Sequence, residues 1–117
     1  MAVDDYCYLT TTGRRTGRPH RIEIWYARDG DVLYLLSGGG GSSDWVRNLV
    51  KEPSVQVEIG DLIHAARARV IDGGGEEERA RTLVFDKYQA RSSDDLSNWR
   101  ERATPIAIDL SLTARQD

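Results

Sequence analysis

Two short stretches carry the residue types best suited to holding an anion. In Leu36-Ser-Gly-Gly-Gly-Gly-Ser-Ser-Asp44 an apolar segment runs through four consecutive glycines into Trp45-Val-Arg-Asn-Leu49. Glycines let a backbone come close to a ligand, and the first N–H groups of a helix attract negative charge. Ser42, Ser43 and Asp44 are all good N-cap residues, so a helix is expected to start there. The loop follows neither a Walker A nor a dinucleotide-binding glycine pattern. On residue type alone it suits a phosphate cradle and a flexible connection equally well. Upstream, Gly13-Arg-Arg-Thr-Gly17 offers two guanidinium groups, a hydroxyl and backbone N–H groups. Arginine forks match phosphate and carboxylate oxygens, although a solvated hairpin tip has the same composition.

Other chemistries find no support. His20 and His64 have no partner at metal-ligand spacing, and neither a Gly-x-Ser-x-Gly elbow nor a Cys–His pair is present. A hydrolase or metalloenzyme is therefore not expected, and His64 reads as a structural or solvent-facing strand residue. The single cysteine, Cys7, rules out an internal disulfide and fits a reducing compartment. Lying among apolar residues, it reads as a small buried hydrophobe. Trp25 and Trp45 offer flat apolar walls for a ring system, or equally filling for a small core.

The chain that must position these groups has 117 residues, 39% hydrophobic and 30% charged, which suits one domain (residues 1–117) with one modest core. Its net charge of −3 gives no reason to expect a nucleic-acid partner. The charge is uneven: arginines 14, 15, 18, 21 and 28 cluster early, and Glu76-Glu-Glu78 and Asp94-Asp95 fall late. A local arginine cluster on an acidic chain points to a small anionic ligand. No apolar run is long enough to span a bilayer and no signal-peptide segment is evident, so a cytoplasmic protein is expected.

Strands are predicted at Tyr6 to Thr12, Arg21 to Arg28, Val32 to Leu36, Ser54 to Ile59, Leu62 to Ile71 and Pro105 to Leu110. Within Arg21 to Arg28, alternation puts Ile22, Ile24 and Tyr26 on one face. Asp29-Gly-Asp31 and Gly60-Asp61 are hairpin turn signals. Helices are predicted at Asp44 to Lys51, stopped by Pro53, at Glu76 to about Gln89, and from Ser93 or Asp94 through Arg102. Six mostly antiparallel strands with three short helices predict a mainly β (α+β) fold closed into a small barrel or half-barrel.

Read in order, these motifs resemble the deazaflavin-dependent nitroreductase and quinone reductase family. The resemblance rests on Leu9-Thr-Thr-Thr-Gly-Arg-Arg-Thr-Gly-Arg-Pro19, Ile24-Trp-Tyr26, Asp29-Gly-Asp31, Ser37-Gly-Gly-Gly40, Trp45-Val-Arg-Asn-Leu49, Pro53 and Trp99-Arg-Glu-Arg-Ala-Thr-Pro-Ile106. It implies an antiparallel split β-barrel, related to FMN-binding proteins, with short flanking helices. It also implies an oxidoreductase using coenzyme F420, a deazaflavin with a phosphate and an acidic oligoglutamate tail. The reduced coenzyme would give a hydride to a quinone, a nitroaromatic or an activated double bond. By the same resemblance, Arg14, Arg15, Thr16 and His20 would lie along the phosphate and tail. Ser37, Gly38 and Gly39 would approach through backbone atoms, Trp45 and Asn48 would complete the site, and Trp25 would stand beside the ring. Tyr26 and Tyr88 are the candidate proton donors.

The sequence departs from that family pattern at several positions. Gly38 stands where the nitroreductase type has a lysine, and His20 where it has an arginine, with Arg21 next to it. Ala90, Ser93 and Leu96 stand at the spacings of its pocket tyrosines. The first strand is expected without the N-terminal helix that some relatives use near membranes. Two alternatives accompany the main reading: a flavin- (FMN) or haem-binding split barrel, and a non-catalytic carrier of the coenzyme. Related split barrels often pair, so a homodimer is a further expectation.

Overall fold

Two residues, Trp25 and Tyr26, determine how the sheet closes. The computed structural model describes residues 5–110. Within them lie seven strands: β1 (Cys7–Thr12), β2 (Pro19–Ile24), β3 (Ala27–Asp29), β4 (Val32–Ser37), β5 (Ser54–Ile59), β6 (Leu62–Val70) and β7 (Thr104–Leu110). The helices are α1 (Asp44–Lys51), α2 (Gly74–Gln89) and α3 (Ser97–Arg102), and a short 3-10 turn at Gly40–Ser42 precedes α1. All strand pairs are antiparallel, in the spatial order β2-β1-β5-β6-β7-β4-β3. β2 and β3 are thus opposite edges of the sheet, yet only Trp25 and Tyr26 separate them in the chain. Three peptide steps span at most about 11 Å, so the sheet has to curl until its edges nearly meet. The two edges do not pair with each other, and a seam remains open. This is the mainly β half-barrel expected from the hairpin pattern, and the split barrel that the family resemblance implies.

The seam also corrects the strand reading. Alternation through Arg21 to Arg28 predicts one strand, whereas the chain leaves β2 at Ile24 and re-enters the sheet as β3 at Ala27. Seven strands therefore replace six. Tyr26 still turns inward, as its alternation suggests, and is buried in the barrel core. What the pattern could not show is that Tyr26 gives up ladder hydrogen bonds, and that distant residues replace them. The Tyr26 N–H donates to the Tyr88 hydroxyl at 2.9 Å, and Lys87 Nζ donates to the Tyr26 carbonyl at 2.7 Å. For its own proton the Tyr88 hydroxyl has two carbonyl acceptors, Asp5 at 2.6 Å and Tyr26 at 3.0 Å. The C-terminal half of α2 thereby holds the seam. The last helix is also shorter than predicted, beginning at Ser97 after a turn rather than at Ser93 or Asp94.

Burial explains the strand patterns. One apolar cluster fills the barrel, with Leu9, Leu33, Leu35, Val57, Ile106 and Ile108 at its centre and Val46 and Leu49 of α1 plugging one side. A second lies outside the sheet under α2, where Tyr34, Leu36 and Ala107 meet Ala80, Val84 and Tyr88. β4 is covered on both faces and is therefore apolar almost throughout, whereas β5 alternates because one face meets solvent. Arg69 of β6 fastens the start of α2 to the sheet, donating to both oxygens of Glu76 and to Asp109 of β7. Tyr34 donates a further bond to Glu76 at 3.0 Å.

Two outcomes are expected. Tyr88→Phe leaves the buried Tyr26 N–H without an acceptor and should lower unfolding free energy by about 1–3 kcal/mol in urea titration; wild-type stability would refute the clamp. The Glu76 carboxyl is held below its ordinary range, first by hydrogen bonds from Arg69. A depressed carboxyl adds stability above its unfolded pKa and loses it as pH falls through the folded value. Wild type should therefore lose more stability than Glu76→Gln between about pH 5 and about pH 3, where free carboxylates protonate.

Candidate functional site

Because the junction at the seam is short, Trp25 stands at the opening. Its ring stacks on Tyr88 with centroids 4.3 Å apart and planes 4° apart, and meets Trp99 of α3 edge-on at 5.7 Å. Its remaining surface, 42% of the residue, borders a groove of about 570 Å³. Leu36 and Ser37 at the end of β4, Gly38, Gly39, then Ser43 and Trp45 at the start of α1, form the rest with Glu23, Ile24, Leu96 and Trp99. α3 is held against this wall by Arg81 of α2, whose guanidinium donates to the Arg100 and Ala103 carbonyls and pairs with Glu77. The result is a slot with aromatic walls and a backbone-lined floor, dimensions that suit a flat ring system.

The glycine loop is ordered by its serines. Ser37 Oγ donates to the Gly40 carbonyl at 3.1 Å and lies 3.1 Å from Ser43 Oγ, while Ser42 Oγ donates to the Gly39 carbonyl at 2.7 Å. Ser43 is the N-cap of α1, but its hydroxyl serves Ser37 and makes no capping bond. The first-turn N–H groups of α1 thus lack a side-chain acceptor. Gly40 has a positive φ of 63°, which favours glycine. A Cβ on Gly39 would fall 2.3 Å from Ser43 Oγ, whereas one on Gly38 would sit at ordinary contact, 3.7 Å, from Trp99.

On the other side of the α1 N-terminus lies a smaller pocket of about 240 Å³, formed by Gly13, Arg14, Arg15, Thr16, His20, Asp44 and Asn48. The turn closes on itself through Gly13 N–H to the Arg18 carbonyl (2.7 Å) and Gly17 N–H to the Gly13 carbonyl (2.8 Å). Arg14 is committed to α1. Its backbone N–H and its guanidinium both donate to Asn48 Oδ1, at 3.1 and 2.9 Å, and it pairs with Asp44 at 3.2 Å. Asn48 is 3% exposed and its amide also donates to Thr11 at 3.3 Å. Lys51 donates to the Arg14 carbonyl. Arg15 and His20 are exposed, and their side chains make no hydrogen bond or ion pair among the described residues. With Asp44 matched to Arg14, the pocket is left electropositive.

All ten residues expected to bind an anion or ring fall at these two places. Trp25, Ser37, Gly38, Gly39 and Trp45 border the groove, and Arg14, Arg15, Thr16, His20 and Asn48 border the pocket. Within them the roles divide: Arg14 and Asn48 hold the turn against α1, and Arg15, Thr16 and His20 face outward. The two candidate proton donors are corrected by the structure. Tyr26 and Tyr88 are both buried, neither borders the groove, and both are bound into the seam. Burial also pushes the Tyr88 hydroxyl well above the ordinary tyrosine range. Cys7 is buried in the barrel, and its thiol is pushed up to about 12 by desolvation. His64 faces inward from β6 with its Nε2 buried and without a hydrogen-bond partner among the described residues. The groove residues Glu23, Ile24, Leu36, Ser43, Leu96 and Trp99 were not singled out as site residues from sequence. Trp99 carries a signal through the late tryptophan motif and Leu96 through the spacing of the family's pocket tyrosines, but the others look like ordinary strand, cap or loop positions.

Comparison with known proteins places this geometry among relatives. The sequence model described as F420H(2)-dependent quinone reductase matches residues 1–111. An F420H(2)-dependent quinone reductase of Mycobacterium tuberculosis is 38% identical over 103 residues, which cover 86% of this chain and 69% of that protein. Among solved structures, an F420-H2 dependent reductase superposes with a TM-score of 0.66 at 20% identity, covering 92% of this chain and 94% of its own. A structure described as a domain-swapped dimer superposes with a TM-score of 0.72 at 21% identity, covering 92% and 80%. The two structures share the fold.

The loop geometry makes a local prediction. Gly39→Ala must displace Ser43 Oγ and break its contact with Ser37, which should cost about 1–2 kcal/mol in denaturant titration. Gly38→Ala, with room for its Cβ, should stay within about 0.5 kcal/mol of wild type. Equal effects at both positions would contradict the ordered loop.

Proposed function

This chain belongs to the F420H(2)-dependent quinone reductase family, and from that premise we propose that it passes a hydride from reduced coenzyme F420 to a small electrophilic acceptor, a quinone first of all. The observation that carries the assignment of residues is the sorting of charge about the α1 N-terminus. An aromatic groove lies on one side and an electropositive pocket on the other. A coenzyme with a flat fused ring and an anionic tail needs both, in reach of one another. We assign Arg15, Thr16 and His20 to the phosphate and tail, with Arg14 and Asn48 positioning the turn that carries them. Gly38 and Gly39 would let the backbone approach the ring side, and Trp25, Trp45 and Trp99 would wall it.

When bound, the deazaflavin supplies the hydride-bearing carbon, so the protein needs little acid–base machinery. Its tasks are orientation and partial exclusion of water. Trp25 is well built for the first, since its stacking on Tyr88 and its edge contact with Trp99 fix the ring plane. Neither buried tyrosine hydroxyl reaches the groove, so we assign the proton that completes quinone reduction to solvent entering by the open seam. We read residues 1–117 as one coenzyme-binding domain, supported by the single continuous sheet. The neighbour described as a domain-swapped dimer supports pairing of two copies, which sedimentation would test.

Titration with coenzyme F420 should quench tryptophan fluorescence, because three tryptophans border the groove. Arg15→Ala should raise Kd about tenfold with unchanged stability, as befits a charged contact to an anion. Arg14→Ala should weaken binding and also destabilise the fold, since it removes the guanidinium bonds to the buried Asn48 and to Asp44. FMN should bind more weakly than coenzyme F420. Absence of any quenching up to tens of micromolar coenzyme, roughly the weak end of useful affinity, would sink the proposal.

A further inference from the structure

The groove has one feature that hydride transfer does not use: a carboxylate. Of its eleven bordering residues, Glu23 is the only one with an acidic or basic side chain; the rest are aromatic, aliphatic, glycine or serine. Glu23 lies on β2, an edge of the sheet, so no strand covers its outer side. Its one polar contact among the described residues is the Tyr8 hydroxyl, which donates at a long 3.5 Å, and it forms no ion pair there. Arg21, two residues earlier on the same strand, pairs with a different carboxylate. Its guanidinium pairs with Glu58 at 3.0 Å and lies over the Tyr8 ring at 3.9 Å. Arg21 is thus matched by Glu58, and Glu23, which borders the groove, has no ion-pair partner of its own among the described residues. The cations of this region stand across the α1 N-terminus, in the other pocket.

We propose that Glu23 is a specificity-determining residue that selects acceptors by charge, admitting neutral quinones and repelling those carrying a sulfonate or carboxylate. This rests on the proposed function, with the acceptor reaching the coenzyme ring through the mouth of the same groove. The reasoning is Coulombic: a like charge entering a partly desolvated slot next to a carboxylate is disfavoured more than it would be in bulk water. Nothing else in the groove offers a cation to offset it. Because Glu23 is solvent-exposed, the repulsion is screened by salt. The same arrangement keeps the coenzyme's own anionic tail in the arginine pocket and out of the groove.

The test compares a naphthoquinone with its sulfonate derivative, in wild type and in Glu23→Gln. Two readouts are taken: kcat/KM with reduced coenzyme F420, and tryptophan quenching by each quinone with no coenzyme present. Glu23→Gln should improve the sulfonate about fivefold in both at low salt and leave the neutral quinone within about twofold. The wild-type preference for the neutral compound should shrink toward parity at about 0.5 M salt, where the screening length is a few ångströms. Glu23→Lys, also at an exposed edge position, should invert the preference. Equal shifts for both quinones, or no shift for either, would overturn the charge filter. Should no acceptor oxidise the reduced coenzyme, it is the proposed function that fails, and the quenching comparison still decides the role of Glu23.

Discussion

The hydroxyl of Tyr88 is the contact on which the rest of the structure depends. A sheet whose first and last spatial strands are joined by two residues has to bend back on itself. The bend takes the Tyr26 backbone out of the ladder while leaving it buried. A buried peptide group without partners costs about as much as a protein of this size can spare. Tyr88 and Lys87 supply those partners from α2. The side chain that satisfies the bend also presents its ring to Trp25, so one residue closes the barrel and fixes the wall of the groove. α2 is in turn held at its other end by Arg69, Glu76 and Asp109, and Arg81 carries the restraint on to α3 and Trp99. Wall geometry is therefore set by packing far from the opening.

A second restraint works from the opposite side. Asn48, buried in α1, accepts two hydrogen bonds from Arg14 and donates to Thr11, so helix, turn and β1 move together. The helix N-terminus that separates groove from pocket is thereby registered against both. An arginine that looks in sequence like a ligand-binding cation is here spent on positioning. The side chains of the exposed Arg15 and His20 beside it have no hydrogen-bond partner among the described residues.

Much of this was legible in the chain. Asp44 to Lys51 and Ser54 to Ile59 were bounded correctly because punctuation is local: cap residues and Pro53 for the helix, glycine and alternation for the strand. The glycine loop and arginine turn could be recognised as anion-friendly because donor chemistry belongs to residue type. The seam could not be read. Period-two alternation runs unbroken from Ile22 to Tyr26, and only closure of the whole sheet demands a break there. The role of Tyr88 was hidden for the same reason, since its partner lies 62 residues away and a tyrosine on a helix face gives no sign of what its hydroxyl will meet. Glu23 looked like the solvent half of an alternating strand, which it is. It borders the groove only because the strand is an edge and the edge lines the seam.

Gly38 can now be placed in this arrangement. The resemblance sets a lysine at this position in nitroreductase-type relatives, and the loop here has room for at least a Cβ, so sterics alone do not impose glycine. A cation at Gly38 would stand in the same groove as Glu23 and offset the one ionised group there. Without it the groove is apolar with a single carboxylate, and the exposed Arg15 and His20 stand across α1 in the other pocket. The two departures from the family pattern, glycine for lysine and histidine for arginine, thus act on different sides of one helix. The first removes positive charge from the ring side. The second keeps a donor on the tail side, with the permanent charge carried by Arg15. Charge separation across the α1 N-terminus follows from these residues together, and both the proposed placement of an anionic coenzyme and the proposed exclusion of anionic acceptors depend on it.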